Sequence, residues 1–374
     1  MKLAEFLSNK INQRIQSDSL RSLKKLSGLI DFSSNDYLGF ARSISLKKNI
    51  NHFISQNEDY SIGATGSRLL SGNNAFVEDL EIELAKFYQA EAGLIFNSGY
   101  DANVGLLSCI AQRGDTVITD ELIHASLIDG ARLSNANKYI FKHNDLESLE
   151  EKLRNSKGNI FIITESVFSM DGDQTPLIEI LNLTKKYNAH LIVDEAHATG
   201  VVGETGKGLV NQLNLEKEIF ARVHTFGKAI GCHGGIILGS EQLKTFLINF
   251  CRSFIYTTAL PYHSLVCVKF AHQELENDKI SLSKLKNNIN CFKLKSFEIL
   301  KEIDSTDSAI QSIIIPGNKK CKSISLKMQE LGFDVRAILS PTVPEGKERI
   351  RVCLHSFNSE LEIENLLKNI SKLI

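Results

Sequence analysis

The chain has 374 residues, 43 Lys and Arg against 44 Asp and Glu for a formal net charge of −1, and 43% hydrophobic residues. That length and apolar share bury a sizeable core spread over more than one domain. The balanced charge excludes a global basic field for nucleic acid or an anionic membrane, so any charged partner must be recognised locally.

In chain order, "MKLAEFLSNKINQRIQ" predicts an amphipathic helix and not a signal peptide, because Lys10 and Arg14 interrupt it and no small-residue cleavage site follows. "AFVEDLEIELAKFY" places Phe76, Leu80, Leu84 and Phe87 on one helical face. Short apolar runs then recur, "AGLIF", "DTVIT", "NIFIIT", "HLIVD", "ARVHTF" and "GGIILG", separated by crossover-length segments such as "LIEILNLTKKYN". This alternation predicts an α/β fold with a mainly parallel sheet covered on both faces. Beyond about residue 275 come a polar helix, strand-like "AIQSIII", a helix through Met328, and the strands "FDVRAIL" and "RIRVCL". The expected division is an N-terminal arm over 1–45, a large α/β domain over 46–275 and a small α+β domain over 276–374. No apolar run approaches the ~20 residues of a membrane span. Seven scattered cysteines with no Cys-x-x-Cys pair predict free thiols in a reducing cytoplasm.

Ligands of open α/β sheets bind outside the carboxyl ends of the strands, so the polar residues that close each apolar run are the candidates. In "IFNSGYDANVG", Ser98 and Gly99 open a helix with free N–H groups, a site for phosphate or simply a tight strand-to-helix turn. In "LIVDEAHATG", Asp194 ends a buried strand and requires a cation or a donor, within a ligand site or a structural ion pair. Lys228 in "VHTFGKAIGCHGG" stands among Gly227, Ala229 and Gly231, which either leave clearance for a planar ligand or merely build a Gly-rich loop. Partial burial would bring such an amine toward its neutral, nucleophilic form. His124 in "DELIHASLIDG" is a candidate aromatic contact, with a structural histidine as the alternative. Together these four ends supply the parts that hold pyridoxal phosphate: a phosphate cup, an acid for the ring nitrogen, a stacking ring and a Schiff-base lysine. No strand is followed by Gly-x-Gly-x-x-Gly and "GETGKG" lacks P-loop spacing, which removes the common nucleotide folds. No metal-ligand spacing is present.

These motifs, with "FSSNDYLGF", "GATGSRLLSGN", "HNDLESLE", "ESVFSMDGD", "YTTALP" and "PTVPEGKERIRV", resemble the fold-type I, pyridoxal-phosphate-dependent α-oxoamine synthases nearly end to end. The resemblance implies that Lys228 forms the imine with the cofactor and moves the proton at the substrate Cα, that Asp194 and His197 meet the pyridine nitrogen and the phenolic oxygen, and that His124 stacks on the ring. It further implies phosphate contacts from Gly99, Tyr100 and Thr225, a ring contact from Ser169, and Thr257 or Thr258 reaching the phosphate of a neighbouring subunit in a homodimer with shared active sites. Arg351 would hold the substrate carboxylate, and Arg21 and Thr342 the acyl substrate. The activity implied is decarboxylative condensation of L-alanine with a pimeloyl thioester, carried by an acyl carrier protein or coenzyme A. Relatives taking glycine or serine with other acyl groups are the alternative, and a non-catalytic binding subunit is disfavoured because Lys228, Asp194, His124 and His197 are all present. Departures from the family pattern are Tyr100 for a common phenylalanine, Ala198 for a glycine, Leu339 for an arginine of some members, and the Cys232–His233 pair, which has no implied role.

Overall fold

A computed structural model describes residues 3–23, 28–57, 59–301 and 305–374. Twelve strands run through the described residues: β1 (Ile30–Asp31), β2 (Ala92–Phe96), β3 (Thr116–Asp120), β4 (Asn137–Phe141), β5 (Ile160–Glu165), β6 (His190–Asp194), β7 (Ala221–Thr225), β8 (Gly235–Gly239), β9 (Ile310–Ile314), β10 (Phe333–Asp334), β11 (Arg336–Ile338) and β12 (Arg349–Cys353). The contacts divide the chain into two compact units. One holds Asp36–Ser169 and Asp173–Leu282; the other holds the residues up to Asn35, Met170–Gly172 and Ser283–Ile374. The boundary expected after residue 275 lies inside the helix Tyr262–Asn277, and the division falls later, between Leu282 and Ser283.

The larger unit is built on a seven-stranded sheet of order β2-β8-β7-β6-β5-β3-β4. β7, β6, β5, β3 and β4 are mutually parallel, while β8 runs antiparallel to both β7 and β2, so the sheet is mainly parallel as expected. Strands β2, β3, β5 and β7 are buried at every position, which is why they read as unbroken apolar runs and not as alternation. Crossover helices are begun by side-chain caps: Ser98 accepts from Asp101 N, Asp145 from Ser148 N and Ser240 from Leu243 N. Each cap fixes where a strand ends and a helix begins, and therefore which residues face the carboxyl edge of the sheet.

The helix Ala75–Phe87 turns Val77, Leu80, Glu81, Leu84 and Ala85 inward, so its buried face is rotated from the expected one and leaves Phe76 and Phe87 only half-buried. The reason is Glu81, which accepts from Ile95 N at 2.9 Å and pairs with Arg68 at 2.7 Å and Lys244 at 3.1 Å. β4 was not anticipated: it is an edge strand exposed at four of its five positions and lacks an apolar run.

In the smaller unit, β11, β12 and β9 form an antiparallel sheet and β1 pairs in parallel with β10. "FDVRAIL", expected as one strand, is broken at buried Val335: Phe333–Asp334 pairs with Ile30–Asp31, and Arg336–Ile338 turns to the other sheet.

On the face of the large sheet away from the helix Gly99–Ile110, His224 and His272 are fully buried around Tyr88. His272 Nδ1 donates to Val268 O at 2.8 Å, so its Nε2 accepts from the Tyr88 hydroxyl at 3.0 Å. His224 Nδ1 donates to Thr199 Oγ1 at 2.9 Å, because that hydroxyl already donates to Glu195 O at 2.7 Å. Burial pulls His272 down to about 4 and His224 well below its ordinary value, so both fold as neutral rings. Unfolded histidine titrates near ~6.5, so below that pH the unfolded chain binds protons that the folded chain refuses. The stability from His272, roughly 3 kcal/mol at neutral pH, is therefore lost as pH falls from about 6.5 towards 4. Urea unfolding should show a lower midpoint at pH 4.5 than at pH 7.5, with a smaller drop in His272→Gln.

Candidate active site

The carboxyl edge of the large sheet gathers the candidate residues from separate strands. Asp194 ends β6, Glu165 ends the neighbouring β5 in register with it, and Asp120 ends β3 next in order. His124 follows β3 as the cap of the helix Ala125–Leu133, Ser98 and Gly99 follow β2, and Lys228 follows β7.

Asp194 is buried and held by donors, as its position demanded. Its Oδ1 accepts from Ala196 N at 2.8 Å and its Oδ2 from Asn103 Nδ2 at 2.7 Å. The second proton of that amide goes to Ser126 Oγ at 3.0 Å, and the Ser126 hydroxyl donates to His124 Nδ1 at 2.7 Å. His124 Nδ1 also accepts from Ser126 N at 3.2 Å. A nitrogen that only accepts carries no proton, so the network fixes His124 as the neutral tautomer protonated at Nε2. Burial lowers the His124 pKa and Lys228 adds to that, against the opposing pull of Asp194. The backbone N–H of His124 donates to Glu165 Oε1, which anchors the residue from below. Burial, with the charge of Asp194 next, pushes the Glu165 carboxyl up to about 8. The charge of Lys228 acts on both His124 and Glu165.

The local fold around Lys228 explains its small neighbours. Phe226 N donates to Gly234 O, Cys232 N to Phe226 O and Gly231 N to Lys228 O, closing a tight loop after β7. Gly231 has φ 67 and passes so close to the Phe40–Ala41 backbone that a side-chain carbon would stand 2.3 Å from Ala41 N. Lys228 itself is half-buried, Cys232 turns its thiol to Ile230 O at 3.3 Å, and His233 is exposed at the tip.

At the other candidate cup, the N–H groups of Gly99 and Tyr100 head a twelve-residue helix with no hydrogen-bond acceptor among the described residues. Thr225 lies against them: a carbon added at Gly99 would meet Thr225 Cβ at 3.1 Å. Bare N–H groups at a helix start, beside the hydroxyl of Thr225 whose strand neighbours that of buried Asp194, suit a phosphorylated aromatic ligand such as pyridoxal phosphate. The Tyr100 hydroxyl points away to Asp129 Oδ2 at 2.5 Å, so it ties two helices together. Thr257 and Thr258 fold against the end of β2, where Asn97 Nδ2 donates to Thr257 Oγ1 at 2.9 Å and Thr258 O at 2.8 Å. A small pocket opens there, with Arg68, Asn97, Ser253 and Thr257 among its lining; neither Lys228 nor Asp194 lines it. Ser169 is buried, and His197 Nδ1 meets the Tyr37 hydroxyl at 2.8 Å.

In the smaller unit, Arg351 on β12 reaches Asn35 Oδ1 at 3.2 Å and Cys353 Sγ at 2.9 Å, and Arg21 donates to Thr342 Oγ1 at 2.9 Å, bringing those two candidates together. Sequence reasoning missed Asn103, Ser126, Glu165 and Tyr37. Asn103 lies one helical turn beyond Gly99 and Ser126 two residues beyond His124, so each carried a positional signal; Glu165 ends a buried strand as Asp194 does.

The family described as Aminotransferase class I and II matches residues 27–370. An 8-amino-7-oxononanoate synthase of Emericella nidulans is 40% identical over 373 residues, covering 92% of this chain and 89% of the relative. A putative 8-amino-7-oxononanoate synthase of Bacillus licheniformis is 39% identical over 371 residues, 98% of this chain and 97% of its own. Among solved structures, the 8-amino-7-oxononanoate synthase of Francisella tularensis is similar with a TM-score of 0.80 at 31% identity, covering 92% of this chain and 97% of that one. A serine palmitoyltransferase of S. paucimobilis, with a bound PLP–myriocin aldimine, reaches a TM-score of 0.91 at 24% identity over 100% and 98% of the two chains, a likeness of fold alone. The fold-type I architecture expected from the motifs is thus the observed one.

Gly235 on β8 backs the candidate cup: an added carbon would stand 2.9 Å from Gly99 N and 3.0 Å from Gly99 Cα, with backbone as the obstacle. Gly235→Ala should destabilise the apo protein by about 1–3 kcal/mol and weaken cofactor binding, because the Gly99 N–H must move. Gly227→Ala, where nothing lies nearer than 3.8 Å, should leave apo stability unchanged. Thermal unfolding and a spectrophotometric cofactor titration check both.

Proposed function

The chain belongs to the class I and II aminotransferase family, and on that premise we propose that it is a pyridoxal 5′-phosphate-dependent acyltransferase that makes 8-amino-7-oxononanoate for biotin synthesis. L-Alanine and a pimeloyl thioester would condense, with loss of carbon dioxide and release of the free thiol carrier. The observation that carries this reading is the convergence of Asp194, His124 and Lys228 on one edge of the sheet, in a chain similar over nearly its full length to synthases of that product.

When bound, pyridoxal 5′-phosphate supplies an electron sink for the charge that develops on the substrate carbon. Lys228 tethers it, then takes and returns the proton at the alanine Cα. Asp194, oriented by Ala196 N and Asn103, presents its carboxylate to the pyridine nitrogen. His124, held neutral by Ser126, offers an uncharged ring face for stacking and an Nε2–H for hydrogen bonding. His197 serves the phenolic oxygen, its ring steadied by Tyr37, and Ser169 the ring substituents. Gly99, Tyr100 and Thr225 hold the phosphate from one subunit and Thr257 or Thr258 from its neighbour. Arg351 grips the alanine carboxylate with a guanidinium fork, and Arg21 and Thr342 meet the acyl substrate.

A homodimer with shared active sites suits the apolar side chains that a single chain leaves to solvent near these motifs, Ile62 at 90%, Leu70 at 83% and Tyr256 at 73% exposed. All seven cysteines are free and no helix among the described residues is long and apolar enough to cross a membrane, which supports a cytoplasmic setting.

Purified protein given cofactor, pimeloyl thioester and alanine, glycine or serine in turn should yield a mass-identified product with alanine; product only with glycine or serine would replace this reading by that of a relative. Lys228→Ala should lose turnover by at least about 10³-fold and no longer form a borohydride-stable adduct with the cofactor. Substantial turnover without that lysine would overturn the assignment.

A further inference from the structure

His143, in the "HNDLESLE" motif, belongs to no role derived so far, yet it has two carboxylate partners. Its Nδ1 lies 3.0 and 3.2 Å from the two oxygens of Asp120, and its Nε2 lies 2.7 Å from Asp173 Oδ2. A ring whose two nitrogens both face carboxylates donates from both and so carries both protons. Burial opposes that charge, but the hydrogen bonds and charges of Asp120 and Asp173 outweigh it and lift the ring to about 10. Asp173 Oδ1 is buried without a hydrogen-bond partner among the described residues, so the ring and the Asn144 amide at Oδ2 carry the stabilisation of this carboxylate. The ring also stands edge-on against Phe168, with centroids 4.4 Å apart at 89°.

What the imidazolium joins gives it meaning. Asp120 ends β3, takes Leu122 N at 2.8 Å, and so shapes the turn that delivers His124. Asp173 lies in the loop from Val167 to Gln174, which is closed by a bridge between those two residues and by Phe168 N donating to Asp173 O at 3.0 Å; Ser169 sits inside it. Asn144 reinforces the junction, its N–H reaching Asp120 Oδ2 at 2.9 Å and its amide Asp173 Oδ2 at 2.8 Å. Glu121 accepts the backbone N–H of His143 at 3.0 Å.

We propose that His143 is a positioning residue: as a doubly donating imidazolium it clamps the Asp120–His124 turn to the Val167–Gln174 loop, and so sets the spacing between the ring contacts of His124 and Ser169. This rests on the function proposed above for those two residues. His143 touches neither substrate nor cofactor; it acts through the two segments it joins.

The test compares holoenzymes of the wild type, His143→Gln, Asp173→Asn and the double variant by visible circular dichroism of the bound cofactor, which reads the asymmetry of its ring contacts, and by steady-state kinetics below every variant's unfolding temperature. His143→Gln should retain bound cofactor but show an altered visible spectrum, and a kcat about 10- to 100-fold lower with KM for the amino acid moved less than about threefold. Asp173→Asn, at a half-exposed position, should shift both in the same direction should His143→Gln fail to fold. The double variant should lose less than the product of the two single losses, since both single variants remove the same His143–Asp173 pair. Wild-type ellipticity and kcat in folded His143→Gln would overturn the proposal, as would losses in the two single variants that simply multiply. If the wild type fails to turn over alanine with a pimeloyl thioester, the substrate reading fails, and a spectral change confined to the variants still upholds the clamp.

Discussion

Three carboxylates stand at the carboxyl ends of three strands adjacent in the sheet, Asp120 on β3, Glu165 on β5 and Asp194 on β6, each no more than 5% exposed. Burying that much negative charge without compensation would cost several kcal/mol per group, and the site is organised by how each is answered. Asp120 has the imidazolium of His143 and two backbone N–H groups. Asp194 has the Asn103 amide and Ala196 N. Glu165 has the His124 N–H, and its carboxyl is raised to about 8, so near neutral pH it carries a proton. Two ionised groups in register on neighbouring strands would repel; the proton on Glu165 removes that repulsion without a second buried cation.

The same arrangement orders the hydrogen bonds. The Ser126 backbone N–H donates to His124 Nδ1, so that nitrogen carries no proton and the Ser126 hydroxyl, which accepts from Asn103, donates to it as well. Asp194 is thus linked through Asn103 on one helix to Ser126 on the next, whose N–H and hydroxyl set the tautomer of the His124 that caps that helix. His124 is pinned twice more, through its N–H by Glu165 and through the turn after Asp120. A side chain meant to lie flat against a planar ligand needs that kind of immobility, and here it comes from buried polar groups each of which needed a partner for its own sake.

Much of this was legible in the sequence because it is locally encoded. Apolar runs buried on both faces gave β2, β3, β5, β6, β7 and β8 within a residue of their ends, and the residues closing those runs were the candidates that the fold brings together. What escaped depends on contacts between distant segments. β4 carries no apolar run because it lies at the sheet edge, and the break at Val335 exists because one stretch pairs with two different sheets. Glu81 reads as the polar face of a helix until Arg68, Lys244 and Ile95 N are seen around it. Asn103, Ser126 and Glu165 could be suspected from their spacing to Gly99, His124 and Asp194, but only the geometry shows which proton goes where.

The glycines around Lys228 illustrate how one residue type meets different demands within a few positions. Gly231 is required by backbone alone, since its φ of 67 and its approach to Ala41 leave no room for a side chain whatever the ligand. Gly227 has φ outside that region and nothing within 3.8 Å, so the protein itself does not require it. Gly227 is exposed, so the space beside it opens to solvent. Of the two, only Gly231 is demanded by the fold itself, because it holds the loop that presents Lys228.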